Sequence, residues 1–257
     1  MSIFHAIILS IIEGLTEFLP VSSTGHMILA GTVLGIPSTE FIKSFEIIIQ
    51  LGAICAVVVL YFKTLTHTIS LFPKIMTAFV PTAILGFTLY KIIKQFLLGN
   101  VVVTTLSLGI GGVCFLLLEK FLQNKPFKTK TLYDISYKDS FLIGLSQSIS
   151  MIPGVSRSAA SIFGAMLIGI DRQTAVEFSF LLAIPTMAAA TALDLMKSGF
   201  SFSREEYILL SLGFAVSFVT ALVAVKTFLQ FIKKNTFIPF AWYRIALACL
   251  FSLYLFK

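Results

Sequence analysis

Glu13 and Glu17 lie four residues apart, which on a helix sets both carboxylates on one face, one turn from each other. They open the run E-G-L-T-E-F-L-P-V-S-S-T-G-H, Glu13 to His26, in otherwise apolar surroundings where isolated polar groups are expensive. Two like charges this close need neutralising. The pair therefore asks for a divalent cation, a shared proton or a partner such as Arg157. Ser22, Ser23, Thr24 and Gly25 prepare a helix start, and His26 follows at the beginning of a short apolar helix. Its ring is expected to point into the same cavity, where an imidazole can attack phosphorus or move a proton near neutral pH.

A second polar run, P-G-V-S-R-S from Pro153 to Ser158, places Arg157 between Ser156 and Ser158 at the start of another short apolar helix. A guanidinium among hydroxyls and free helix N–H groups is an arrangement that holds phosphate. The hydroxyls can equally well cap helices, but Arg157 needs a counter-charge on either reading. Two helix starts converging from opposite membrane faces would enclose one anionic group. Glu46 and Gln50 form a further i, i+4 pair, with Glu177 and Ser179 in the matching region of the second half. These four are expected to form an outer shell or helix–helix hydrogen bonds. His5 and His67 lack such neighbours and read as an interfacial and a loop residue.

The elements that must position these groups are membrane helices. Of 257 residues, 57% are hydrophobic and 12% charged, and the mean hydropathy is +0.97, far from a soluble domain. Six stretches are long and apolar enough to cross a hydrocarbon core: about 44–62, 78–97, 101–118, 175–195, 207–228 and 238–256. Strand-period barrel patterning is absent, so the class is a helical bundle. The run Ile3 to Ile12 is too short to span and is not read as a signal peptide. Cys55, Cys114 and Cys249 fall within spans without paired spacing; they read as buried small hydrophobes, neither a disulfide framework nor a zinc site. The net charge of +7 suits lysines facing anionic lipid, since no soluble basic domain is present to carry a nucleic acid.

The order of parts repeats about 134 residues later. Gly14-Leu15-Thr16-Glu17 matches Gly144-Leu145-Ser146-Gln147, and Pro20-Val21-Ser22 matches Pro153-Gly154-Val155-Ser156 with one insertion. Leu34-Gly35-Ile36 matches Ile168-Gly169-Ile170, and Phe45 pairs with Phe178. Four landmarks in register argue for duplication. Each repeat begins with a short apolar segment, a polar elbow and a second short segment, which reads as a re-entrant hairpin. Three spans between the hairpins make the second enter from the opposite side. The expected architecture is a single all-α integral membrane domain, 1–257, with six full spans and two re-entrant hairpins in an inverted-topology repeat. Repeat one covers about 1–118 and repeat two about 138–257, joined by a basic loop at 119–137.

That loop region, with Lys120, Lys125, Lys128, Lys130 and Lys138, is the strongest cytoplasmic candidate. Lys63 and Lys74 flank a second loop on that side, and Lys226, Lys233 and Lys234 a third. Counting outward, both termini face the exterior, although Lys91, Lys94, Lys197 and Arg204 fall near that face.

These motifs resemble the undecaprenyl-diphosphate phosphatases, also called bacitracin resistance proteins. The resemblance spans essentially the whole chain and rests on Glu13 to His26, F-E-I-I-I-Q-L-G (Phe45 to Gly52), Pro153 to Ser158, E-F-S-F-L-L-A-I-P (Glu177 to Pro185) and F-I-P-F-A-W-Y-R (Phe237 to Arg244). It implies an enzyme of the bacterial plasma membrane that removes the terminal phosphate of a C55 polyprenyl diphosphate. The product is the recycled lipid carrier of cell-wall synthesis. Glu13, Glu17, His26, Ser156 and Arg157 would match the functional positions, with a divalent cation, Mg²⁺ or Ca²⁺, assisting and the site opening to the outer face. Ala159 and Ser161 stand where the family commonly has Gly and Thr. No oligomeric state is implied.

Phosphoanhydride cleavage needs charge stabilisation on non-bridging oxygens, an in-line nucleophile and a proton donor or cation for the leaving phosphate. Arg157, the helix starts and a cation could supply the first, His26 the second, and Glu13 or Glu17 the third; Glu13 and Glu17 would hold the cation. Attack by His26, by water that it activates, or by Ser22 or Ser23 stays open. An S-R-x5-H pattern is absent, since Phe163 stands six residues after Arg157. The competing expectation is a secondary transporter or flippase of polyprenyl phosphate lipids, because broken hairpins at the midplane are common in transporters.

Overall fold

A computed structural model of the chain describes residues 1–37, 39–92, 97, 100–123, 126–128, 131–198 and 202–255. Among these the fold is all-α: α1 (Ile3–Thr16), α2 (Ser23–Val33), α3 (Glu40–Leu60), α4 (Phe62–His67), α5 (Leu71–Ile92), α6 (Val101–Leu122), α7 (Tyr137–Gln147), α8 (Arg157–Leu167), α9 (Arg172–Ser198), α10 (Arg204–Ile232) and α11 (Ile238–Leu255). Side-chain caps start most of them. Thr39 accepts the Ile42 N–H in the first turn of α3 and Asn100 the Val103 N–H in that of α6, while Ser136–Asp139 and Ser203–Glu206 form reciprocal capping boxes on α7 and α10.

Among the described residues five helices, within α3, α5, α6, α9 and α10, are long and apolar enough to cross a membrane. This is a multi-pass membrane protein. The sixth expected span, 238–256, is the shorter α11 of 18 residues, about 27 Å at the helical rise and just under a hydrocarbon core. The lysines Lys94, Lys125 and Lys130 lie outside the described residues. Two smaller expectations are corrected. His67 ends the short helix α4 instead of lying in a loop. Cys55 is half-buried, but Cys114 and Cys249 are exposed, on α6 and α11, two helices that pack mainly on each other and turn their other faces outward.

The two short-helix pairs, α1–α2 and α7–α8, repeat each other locally. Both α2 and α8 have 11 residues. Each is capped by a serine at positive φ, Ser22 at 71° and Ser156 at 79°, whose hydroxyl accepts an N–H three residues on. Each closes on a glycine at positive φ, Gly35 or Gly169. The second elbow carries an additional 3₁₀ turn, Ser148–Met151. It absorbs the extra residues between Gln147 and Ser156.

Packing follows the same repeat. The first helix of each hairpin lies against the second long span of the other half: α1 on α10, and α7 on α5. The matching glycines allow the close approach. A Cβ on Gly14 would come within 2.6 Å of the Ser217 carbonyl oxygen, and one on Gly144 within 2.7 Å of the Ala78 carbonyl carbon. The halves also meet through α3 with α9 and α6 with α11, and the landmark phenylalanines Phe45 and Phe178 are fully buried. Neither hairpin can leave without exposing the apolar face of the opposite half.

Candidate active site

The turn after α1 and the turn before α8 are brought together. Ser158 Oγ donates to the Leu19 carbonyl at 2.9 Å, tying one elbow to the other. Between them lies a cavity of about 130 Å³ lined by Glu17, Ser22, Ser23 and Thr24 from the first elbow and Ser150, Pro153, Gly154, Ser156 and Arg157 from the second. Gln50 of α3 and Thr186, Met187 and Ala190 of α9 complete it.

Glu17 is the hub. Its carboxylate is buried and accepts two charge-assisted or hydroxyl bonds: Arg157 Nη2 donates to Oε1 at 3.0 Å, and Ser23 Oγ donates to Oε2. Arg157 also donates through Nη1 to the Ser179 carbonyl at 3.0 Å, and Met187 Sδ lies 3.5 Å from Nη2. Its Nε is buried without a partner. The face of Phe18 lies 5.6 Å from the guanidinium carbon, a cation–π distance. The guanidinium is thus fixed from three sides at the cavity wall.

Glu13 sits one turn behind, nearly fully buried, and its Oε1 has no hydrogen-bond partner among the described residues. The charges acting on it come from Glu17, Glu46 and Arg157. Of the ways to neutralise the carboxylate pair, the arginine serves Glu17, and Glu13 lies in side-chain hydrogen-bond contact with Glu17, as a shared proton would need, while its Oε1 stays free. Among the described residues no group of three or more His, Cys, Asp or Glu is clustered to hold a metal. Two carboxylates with one orphaned oxygen nevertheless suit an ion such as Mg²⁺, which keeps its waters and takes one or two carboxylates plus substrate phosphate.

Four expected site residues stand off the cavity wall, Glu13 among them, buried one turn behind Glu17. The His26 ring does not point into the cavity: its Nδ1 lies 2.8 Å from the Ser22 carbonyl and its Nε2 2.6 Å from Tyr243 Oη on α11. With the carbonyl as an obligate acceptor, Nδ1 carries the proton and Nε2 accepts from the phenol. The reason is helical phase, since residue 26 faces α11 while Ser22 and Ser23 face the cavity. Ser158 is fully buried on the Leu19 carbonyl and Ser156, and Gly25 packs against Leu108. Neither lines the cavity.

Of the expected outer shell, Gln50 reaches the cavity wall and Ser179 holds Arg157 through its carbonyl and Ser161 through its hydroxyl at 2.7 Å. Glu177 instead accepts from Gln173 on its own helix, and Glu46 is exposed. Ser150, Thr186 and Met187 are wall residues that the sequence reading did not single out. Thr186 lies about two turns after Ser179 on α9, but nothing local in the sequence marks it. Gln147, the match of Glu17, is fully buried and donates to Thr82 and Thr186. The duplicated position therefore keeps its polarity but no charge.

A family model described as bacitracin resistance protein BacA matches residues 6–250. The chain is 48% identical to a protein named undecaprenyl-diphosphatase from Aquifex aeolicus over 252 residues, 98% of each chain. It is 49% identical to one of that name from a Sulfurihydrogenibium species over 254 residues, 99% of this chain and all of the other. A third, from Persephonella marina, is 50% identical over 254 residues and 99% of each.

Proposed function

Because the chain belongs to the bacitracin resistance protein BacA family, we infer that it hydrolyses undecaprenyl diphosphate to the monophosphate and inorganic phosphate. It is a membrane phosphatase that recycles the lipid carrier of cell-wall synthesis and thereby supports bacitracin resistance. The observation that carries the reading at the level of chemistry is the Ser23–Glu17–Arg157 constellation at the cavity wall. None of the structural features favours the transporter or flippase reading over it.

Ser23 is the nucleophile that this geometry favours. Its hydroxyl already donates to a carboxylate, the arrangement in which a base withdraws the proton as attack begins. The Ser23 oxygen–phosphorus bond forms, the bridging oxygen–phosphorus bond breaks, and the hydroxyl proton passes through Glu17 to the departing prenyl monophosphate, which leaves Glu17 ionised. Water then attacks the phosphoserine with Glu17 as base; this frees inorganic phosphate and restores Ser23. Arg157, held over Phe18 and by the Ser179 carbonyl, offers its fork to the non-bridging oxygens. The free N–H groups at the starts of α2 and α8, with Thr24 and Ser156, complete the phosphate cradle. Glu13, with Glu17, would hold the divalent cation, Mg²⁺ or Ca²⁺. When bound, the ion supplies positive charge to the phosphate oxygens.

The protein acts in the bacterial plasma membrane on this reading, and the lysine pattern supports an orientation with Lys120, Lys128 and Lys138 on the cytoplasmic side. On that orientation α9 runs outward from Arg172. The cavity extends along α9 from the level of Ser179 to Thr186 and Ala190, which supports an opening toward the outer face.

The test is phosphate release from undecaprenyl diphosphate by purified protein in detergent, where transport has no meaning. Wild type should release phosphate with no gradient, whereas Ser23→Ala and Arg157→Lys should lose most turnover while remaining folded. A Ser23→Ala variant with normal turnover would move the attack to water, and a wild type silent in detergent but moving lipid phosphate across liposomes would overturn the hydrolase.

A further inference from the structure

Arg244 on α11 is the bulkiest of the fully buried side chains, and the reaction as described makes no use of it. All five of its N–H donors are taken, each by a backbone carbonyl. Nε donates to Leu108 at 3.3 Å, Nη1 to Pro20 at 3.2 Å and Val155 at 3.0 Å, and Nη2 to Ser107 at 3.2 Å and Gly154 at 2.7 Å. The Phe115 ring lies 5.1 Å from its guanidinium carbon. No carboxylate is among these partners. A buried cation held only by carbonyls is an expensive way to fill space, and an apolar side chain would do that better.

What the five carbonyls share is their place. Pro20 lies in the first elbow, Gly154 and Val155 in the second, and Ser107 and Leu108 on α6 between them. Val155 directly precedes Ser156, and Pro20 stands two residues before Ser22. Both serines hold positive φ, a sparsely populated backbone for a residue with a Cβ, which persists only where the surroundings over-determine it. The next residue along each chain, Ser23 and Arg157, is a member of the constellation at the cavity. The neighbour of Arg244, Tyr243, reaches His26, whose other nitrogen holds the Ser22 carbonyl. One turn of α11 therefore grips the first elbow from two directions.

We propose that Arg244 is a positioning residue for the hydrolysis, its guanidinium setting the spacing of the two elbows so that Ser23 with Glu17 and Arg157 stay in register across the cavity. A lysine cannot bridge both elbows and α6 at once, because an ammonium has three donors around a single point. Gly111 offers an independent way to disturb the clamp. A Cβ added there would come within 2.9 Å of the Arg244 guanidinium carbon, so Gly111→Ala displaces the group without removing it.

The inference rests on the phosphohydrolase reading of the same site, and the experiment separates the two. Wild type, Arg244→Lys and Gly111→Ala are purified in detergent. Thermal unfolding, kcat and KM on undecaprenyl diphosphate, and deuterium uptake of the two elbows are then measured. Arg244→Lys should stay folded, keep its KM and lose kcat by roughly 100-fold, the size of effect expected when reacting groups are misplaced by about 1 Å. Uptake should rise in both elbows and not in α3 or α10, and Gly111→Ala should move kcat and uptake in the same direction. Elbow uptake unchanged in Arg244→Lys, or wild-type kcat in folded Gly111→Ala, overturns the proposal. If Arg244→Lys fails to fold, Gly111→Ala alone decides. A wild type that releases no phosphate fails the hydrolase reading, and elbow uptake still decides whether Arg244 sets the elbows.

Discussion

The two carboxylates of the first elbow have taken different roles although they share one helix face. Glu17 spends both oxygens on Ser23 and Arg157, whereas Glu13 keeps one oxygen free in a buried place. Glu13→Gln should therefore change the divalent-cation requirement, because an amide cannot offer a charged oxygen to a hard cation. Phosphate release by chelator-stripped protein, titrated with Mg²⁺ and with Ca²⁺, should show a higher half-saturating concentration in the variant; an unchanged curve would remove Glu13 from the cation. His26 invites a second measurement. Its Nδ1 lies on the Ser22 carbonyl, so its part is to brace that strained cap. His26→Asn, which keeps an N–H near the Nδ1 position, should retain clearly more kcat than His26→Ala. Equal losses of the roughly 10²–10⁴-fold expected for a missing general base would return the imidazole to the chemistry.

At the scale of elements, the hairpins are held by small residues and by ties at their ends. Gly14 and Gly144 let α1 and α7 touch the backbones of α10 and α5. On the end of the bundle away from the cavity opening, Glu119 of α6 is buried and accepts from Arg172 through both oxygens and from the Phe237 N–H at 2.8 Å. This joins α6, the start of α9 and the approach to α11. Arg172→Ala would leave Glu119 buried with one backbone donor, and removing one partner of a buried pair costs about 3–5 kcal/mol. The arginine is partly exposed, so the lower part of that range applies. The variant should unfold at a clearly lower temperature in detergent while keeping wild-type kcat per folded molecule. A kcat loss at unchanged unfolding temperature would mean that this tie shapes the site and does not merely hold the helices.

For the whole molecule, cysteine labelling reads the orientation in the membrane. With Cys55, Cys114 and Cys249 replaced, a single cysteine near Lys128 should resist an impermeant maleimide in intact cells, and one near Arg204 should react. Labelling at the first alone would reverse the picture and turn the cavity toward the cytoplasm, and labelling at both would overturn the topology. The crossed packing of the halves, α1 on α10 and α7 on α5, makes the outcome all-or-none, since one half cannot be inverted without the other.

Much of this protein was written in local pattern. Apolar run length announced membrane helices, because a bilayer demands about 20 residues of them whatever their partners. Matching glycines, prolines and serines announced the two elbows, and the density of polar groups in an apolar chain marked Glu13, Glu17, Ser23 and Arg157, since burial without purpose is costly. Only the tertiary structure decided which of those groups meet. Glu17 and Arg157 are 140 positions apart, and their contact depends on how two hairpins dock. The direction of His26 depended on the phase of α2 against α11, and Arg244, in the sequence only the end of the Phe237 to Arg244 motif, acquired its role when five carbonyls came together from three separate segments. Local sequence reports what a residue can do, but hydrogen bonds over long separations exist only after packing has chosen the neighbours.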